Sequence, residues 1–283
     1  MYFPRYWQRA TVKGPNRKGE TFETMALGWS DTSNEEALAK ATERAWAALA
    51  RLPLEKRGPS CYYEGRPFRE PILEDASRNE VKVLITRNSL GCDVLNTDRV
   101  GFADLDYEPL RTGLFANLFG SAKKQKAEHR QNWEQQALAR LRDWQRGNPA
   151  WGFRIYRTAG GFRVLVTSHL MEPDAQAKQW LESIGSDPLY QRLCRDQKSF
   201  RARLTPKAWR CGLRQPEVRF PFATPKEEQN MAAWLEKYRQ KSGAFAVCEY
   251  VETAGPASVD AAVKPVLDLH DTRTLIASGL PLA

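Results

Sequence analysis

Apolar residues recur at every second position in some runs of this chain and at every third or fourth in others, and the alternation of the two spacings outlines its elements. "YWQRATVKGPNRKGETFETMALGWS" holds two alternating stretches around a Gly/Pro/Asn-rich turn, which predicts a β-hairpin. Ser33 or Asn34 then caps "EEALAKATERAWAALARL", with acidic residues in its first turn. Ala37, Leu38, Ala41, Ala45, Ala48, Leu49 and Leu52 form one stripe there, the pattern of an amphipathic helix. A Pro/Gly/Tyr-rich connector, "PLEKRGPSCYYEGRPFREPIL", follows.

Three short β-type runs come next, "VKVLITRN", "CDVLNT" and "RVGFADLDYE", and the turns between them predict an antiparallel meander. "PLRTGLFANLFGSAKKQ" reads as an irregular, mobile loop. From Lys126 to Arg146 the spacing of Trp133, Ala137, Leu141 and Trp144 predicts a long helix with its apolar face on the core. "WGFRIYRTAGGFRVLVTSHL" is a strand, a tight turn at Ala159-Gly160-Gly161, and a strand. Helices are expected over Asp174–Ile184 and Pro188–Asp196, then a short strand in "FRARLT", a helix in "PKEEQNMAAWLEKYRQKS" and a strand in "AFAVCEYVET". The last thirty residues read as an irregular, partly ordered tail. The units expected are therefore an N-terminal hairpin and helix (1–75), a core (76–252) and a tail (253–283). Strands in both halves, with helices between them and few regular βαβ units, predict an α+β fold on an antiparallel or mixed sheet.

At 283 residues the chain can bury a substantial core. It has no uncharged apolar run near the ~18 residues of a membrane span, and "MYFPRYWQRATVKG" lacks the marks of a secretory signal. A cytoplasmic protein without a membrane partner is expected. Five cysteines (Cys61, Cys92, Cys194, Cys211, Cys248) with no C-x-x-C spacing predict free thiols rather than disulfides or a thiolate zinc site. The net charge is +9. Between Gln191 and Arg219 stand nine basic residues, Arg192, Arg195, Lys198, Arg201, Arg203, Lys207, Arg210, Arg214 and Arg219, against two acidic ones. So focused an excess points to a polyanion.

The sharpest chemical feature is "FADLD". Asp104 and Asp106, two apart on a strand, project from one face roughly 7 Å apart. That face is either open to water or holds something cationic. Two carboxylates plus substrate phosphates is a common way to hold Mg²⁺ or Mn²⁺. Downstream, Arg157 and Arg163 lie on the glycine hairpin, and alternation in "FRARL" puts Arg201 and Arg203 on one strand face, with Lys207 and Arg210 beyond. Carboxylates for metal and guanidinium groups for phosphate are the requirements of phosphoryl transfer. Trp209 is placed either to stack on a base or to pack in the core. Asp187, in "GSDPLY", is placed either to cap a helix or to join a metal site. No histidine falls into a nucleophile-base or metal-ligand spacing, and neither a P-loop nor G-x-S-x-G is present.

The order of "FADLD", then "FRIYRTAGGFRVLV", then an acid shortly before "SFRARLTPK" resembles the palm of the archaeo-eukaryotic primase superfamily, including PrimPol-like enzymes. The resemblance, over roughly residues 81 to 210, implies an RRM-like antiparallel or mixed sheet and nucleotidyl transfer on single-stranded DNA or RNA with nucleoside triphosphates and Mg²⁺ or Mn²⁺. It implies Asp104, Asp106 and Asp187 as metal and catalytic residues, and Arg201 and Lys207 as the family's basic stretch. Arg157, Arg163 and Arg203 would join the phosphate contacts, and Arg192, Arg195, Lys198, Trp209 and Arg210 would lie along the nucleic acid. Where the family carries Ser-x-His, this chain has Gly161 and Arg163. A non-catalytic nucleic-acid-binding protein on the same sheet and a metal-dependent nuclease remain the alternatives.

Overall fold

The computed structural model describes residues 1–52, 67–107 and 122–283. Residues 53–66, most of the expected connector with Cys61, and 108–121, the body of the expected loop, lie outside the described residues.

Strands β1 (Tyr6–Pro15) and β2 (Thr21–Ser30) pair antiparallel as the predicted hairpin. Helix α1 (Asn34–Leu49) follows, and Ser33 caps it by accepting a hydrogen bond from the Glu36 amide. Its buried row is Ala37, Ala41, Ala45 and Leu49, a strict i, i+4 line of mostly small residues. The reason is the closeness of the sheet: a Cβ on Gly28 of β2 would stand 2.1 Å from the Ala37 carbonyl oxygen. Leu38, expected on the apolar stripe, lies off that line and is 46% exposed.

Next along the chain come β3 (Ile72–Asp75), β4 (Val83–Arg87), β5 (Asp93–Thr97), β6 (Phe102–Asp106), α2 (Ala122–Gly147), β7 (Phe153–Thr158) and β8 (Gly161–Val166). They are followed by α3 (Ala175–Ser183), α4 (Pro188–Gln197), β9 (Phe200–Arg203), α5 (Pro225–Ser242), β10 (Cys248–Ala254) and α6 (Lys264–Thr274). Two four-stranded sheets form, in the orders β3-β4-β5-β9 and β10-β7-β8-β6, and every strand pair is antiparallel. The protein is thus α+β with antiparallel sheets.

The meander is overturned at its third strand, since β6 leaves β5 and joins the other sheet. All six residues of β8 are buried, so β8 is an interior strand that needs a partner on each side, and β6 is the second one. The expected tail is corrected as well. Residues 264–274 are helical, and Val266, Leu267, His270 and Thr274 pack inward. With only short apolar runs, this segment looks polar in sequence, yet its buried face completes the core against β10 and β7.

One main cluster of buried side chains includes Phe102, Leu141, Phe153, Ile155, Phe162, Val164 and Trp180. Ala137 and Leu141 of α2 are buried, with Trp133 and Trp144 packed at the margin, as their spacing predicts. Cys92, Cys194, Cys211 and Cys248 are free and buried. No helix among the described residues is long and apolar enough to cross a membrane.

Candidate functional site

The two four-stranded sheets meet edge to edge at β6 and β9, and hydrogen bonds set that seam. The Tyr190 hydroxyl reaches the carbonyls of Phe102 on β6 and Arg201 on β9, both at 3.1 Å. Arg163 on β8 donates from Nη1 to the Arg203 carbonyl at 2.8 Å. The start of α4 is fastened to β6 in turn: the Asp187 amide and the Ser186 hydroxyl both donate to the Asp104 carbonyl, at 2.9 and 3.0 Å. Asp187 is therefore brought beside Asp104 and Asp106, as expected. Its Oδ1 caps α4 through the Tyr190 amide at 2.8 Å, so the capping role is realised.

The two strand aspartates have different surroundings. Asp104 lies opposite Arg163 in the β6–β8 register and accepts its Nε–H at 2.9 Å. Burial opposes the ionisation of Asp104, but the charges of Arg163 and Arg203 and the Arg163 hydrogen bond outweigh it, holding the carboxyl below its ordinary range. Asp106, at the end of the strand, is exposed, and its carboxylate has no hydrogen bond or ion pair among the described residues. Its pKa is raised, first by partial burial and then by the charges of Asp104 and Asp187.

Three cations face Asp106. Arg203, Lys207 and Arg210 are half-buried and make no ion pair among the described residues. Each acts on Asp106 or its neighbours through space: Arg203 and Lys207 pull the Asp106 pKa down against the larger opposing effects, and Asp106 raises those of Lys207 and Arg210. Net, burial and mutual repulsion lower the pKa of both Lys207 and Arg210, the mark of cations held together without enough counter-charge. The β7–β8 turn forms the floor. Arg210 Nη2 and Asp106 Oδ1 lie 3.2 and 3.5 Å from where a Cβ on Gly160 would stand. Gly161 is required for a steric reason, because its φ is +148° and a Cβ there would be 1.9 Å from the Leu105 carbonyl. Trp209, on a single 3-10 turn over Ala208–Cys211, is 47% exposed, with Lys207 Nζ 5.3 Å above its ring.

No protein-family model, curated protein or solved structure matches this chain.

The basic residues expected at the phosphates or along the nucleic acid accordingly divide by whether an acid already holds them. Arg203, Lys207 and Arg210 converge on the aspartates without an ion pair among the described residues. Arg163 does not face a phosphate: it is fully buried and bonded to Asp104, the Arg203 carbonyl and the α6 face. Arg201 is held by Glu70, which takes two bonds of 2.7 Å from its Nη2, and stacks on Phe68. Arg157 is shared between Glu134 and Glu249, and Arg195 is paired to Asp196. Arg192 and Lys198 are exposed on α4 and its C-cap. Sequence alternation sets which face an arginine takes, but a neighbouring acid from a distant segment, such as Glu70, decides whether its charge is available.

This division is testable. Arg201→Ala is expected to cost roughly 2 kcal/mol of stability in urea unfolding, because it leaves the mostly buried Glu70 carboxylate with the Thr86 hydroxyl but no counter-charge, and to leave phosphate affinity close to wild type. Arg210→Ala is expected to do the reverse, lowering affinity for inorganic triphosphate about tenfold with little change in unfolding.

Among the described residues, no three His, Cys, Asp or Glu side chains are arranged as a metal-ion cluster. Asp104 Oδ1 is taken by Arg163 and Asp187 Oδ1 by the helix cap, which leaves each of these carboxylates its second oxygen. Among the described residues the carboxylate of Asp106 and the second oxygens of Asp104 and Asp187 have no hydrogen-bond partner, and such carboxylate donors with substrate phosphates fit a hard divalent cation. One residue was missed at the sequence level. His270, on the supposed tail, is fully buried and contacts Arg163.

Proposed function

We propose that this protein is a nucleotidyltransferase of the primase-polymerase type, with its reacting centre at Asp106 on the β6–β9 seam. The observation that supports this reading is the Asp106 carboxylate, set among like charges and facing Arg203, Lys207 and Arg210 across the Gly160 turn, none of the four in an ion pair among the described residues. A lone acidic pair on a solvated edge would have no reason to be met by unspent guanidinium groups, whereas a triphosphate with a divalent cation answers both charges at once. The sequence order of "FADLD", the glycine hairpin and "SFRARLTPK" supports an RRM-like palm for the two sheets.

Asp106 and Asp104 would hold Mg²⁺ or Mn²⁺, which when bound polarises the α-phosphate. Arg203, Lys207 and Arg210 hold the triphosphate oxygens and the charge that develops on the leaving group. In the transfer, a 3′-oxygen forms a bond to the α-phosphorus, the bond to the β-phosphate oxygen breaks, pyrophosphate leaves and the hydroxyl proton passes to solvent. Trp209 and the exposed Arg192 and Lys198 are placed for the single strand, by stacking and by backbone charge.

A second reading is favoured by one observation. Arg163 already neutralises Asp104 from within, as a non-catalytic nucleic-acid-binding protein on the same scaffold would allow. Purified protein incubated with a primed single-stranded template, labelled nucleotides and Mn²⁺ separates the two. Template-dependent extension is expected. Binding to single-stranded DNA that weakens steeply with salt, with no extension and no change on adding metal, would establish the second reading instead. Metal-dependent shortening of the strand would establish a nuclease.

A further inference from the structure

Beneath the site lies a chain of buried polar contacts that the sequence pattern does not announce. Arg163 places Nη1 3.5 Å from His270 Nε2 and 3.7 Å from the Cys248 sulfur. On its other side, His270 Nδ1 is 3.0 Å from Asp271 Oδ1. Asp271 also accepts from the Tyr156 hydroxyl at 2.7 Å and pairs with Arg154. The ring of His270 is packed between Phe102 on β6 and Tyr156 on β7, with centroids 5.5 and 4.8 Å away. Every element around it contributes one face: Arg163 from β8, Cys248 from β10, and Asp271 from α6 itself.

The proton position follows from the partners. An arginine can only donate and an ionised aspartate can only accept. Nε2 must therefore carry the lone pair and Nδ1 the proton, so His270 is neutral. Burial, with the Arg163 charge beside it, lowers its pKa in agreement. On Arg163, Nη2 is buried without a hydrogen-bond partner among the described residues. The guanidinium is held by Nε on Asp104 and by Nη1, and the Nη1 side is where His270 acts.

Arg163 joins two strands of different sheets, through the Asp104 carboxylate on β6 and the Arg203 carbonyl on β9. Whatever fixes its guanidinium fixes the spacing between the carboxylate edge and the cationic edge. We infer that His270 and Asp271 are positioning residues, an aspartate–histidine relay from α6 that orients Arg163 and thereby sets Asp104 against Arg203. The functional half of this inference rests on the phosphate-site reading above, while the positional half stands on the contacts alone.

The test compares His270→Phe, which keeps an aromatic ring but offers no acceptor, with His270→Gln, whose amide oxygen can accept from Nη1. Leu267→Ala serves as the control, since it loosens the same buried face of α6 without touching Arg163. Hydrogen exchange of the Arg163 Nε–H, followed by nitrogen-resolved NMR, is expected to accelerate at least tenfold in His270→Phe. It should remain within about twofold of wild type in His270→Gln and in Leu267→Ala. Affinity for inorganic tripolyphosphate should fall at least fivefold in His270→Phe alone. In the wild type, the ¹⁵N shifts of His270 should show the proton on Nδ1.

A proton on Nε2, or equal exchange in His270→Phe and Leu267→Ala, would overturn the inference. The wild-type tautomer decides the matter even if His270→Phe fails to fold. Absence of tripolyphosphate binding by the wild type would sink the phosphate-site reading and leave the relay to be judged by Nε–H exchange.

Discussion

Replacing Arg163 with methionine is expected to destabilise the protein by about 3–5 kcal/mol, the cost of removing one partner of a buried ion pair. The side chain is fully buried, and its carboxylate partner Asp104 is 20% exposed. Methionine fills much of the volume, so the loss is chiefly one of charge and hydrogen bonds. Asp104 would lose its hydrogen-bonded counter-ion and keep only the more distant charge of Arg203, and the Arg203 carbonyl and His270 Nε2 would each lose a donor. Urea unfolding of Arg163→Met, Asp104→Asn and the double variant measures the coupling directly. The double variant should recover part of the loss of Arg163→Met, because an amide facing an apolar side chain leaves no buried charge behind. A loss below about 1 kcal/mol would mean that water reaches Asp104 and that the pair is not the support of the seam.

Asp106→Asn is expected to lower metal-dependent nucleotide incorporation about a hundredfold or more while leaving unfolding within about 1 kcal/mol of wild type. The sign of the small stability change is also set. Asp106 carries a raised pKa because burial and the charges of Asp104 and Asp187 oppose its ionisation, so removing its charge relieves repulsion and shifts stability slightly upward. This makes Asp106, rather than Asp104, the informative position. Asp104→Asn would lose a metal donor and the counter-charge of a buried arginine together, and activity and folding would fall for different reasons. Calorimetric titration with Mn²⁺ reads the same variant independently of catalysis: wild type should release or absorb heat of binding that Asp106→Asn lacks. Incorporation that persists in Asp106→Asn would remove Asp106 from the reacting centre.

A pair of residues shows where the sequence was informative. Arg201 and Arg203 share one strand face by alternation, and both are half-buried there. Nothing local separates them, yet Arg201 ends on Glu70 and Phe68 while Arg203 turns to the aspartates. Glu70 lies 131 residues upstream of Arg201, so no window along the chain could contain both. The histidines make the same point. His270 has no patterned neighbour in sequence, and its partners are Asp271 beside it and Arg163 and Cys248 from two strands. The elements themselves were legible because their patterns are local: the hairpin β1–β2, the spacing of α2, the glycine turn and the cap at Asp187 all formed where expected.

The sequence by itself determined the elements, the concentration of positive charge after residue 190 and the presence of two carboxylates on one face of a strand. The elements and the shared face depend on spacing over a few residues, through the 3.6- and 2-residue periods and the residue preferences of turns and caps, and the charge excess is read by counting along one segment. Only the tertiary structure decided that β6 leaves the meander for a second sheet, that the supposed tail is a core helix, and that Arg163 faces inward to pair with Asp104. Those outcomes follow from which buried edge or buried charge found a partner, and both hydrogen-bond satisfaction and charge compensation in a low-dielectric interior are settled between segments far apart in the chain.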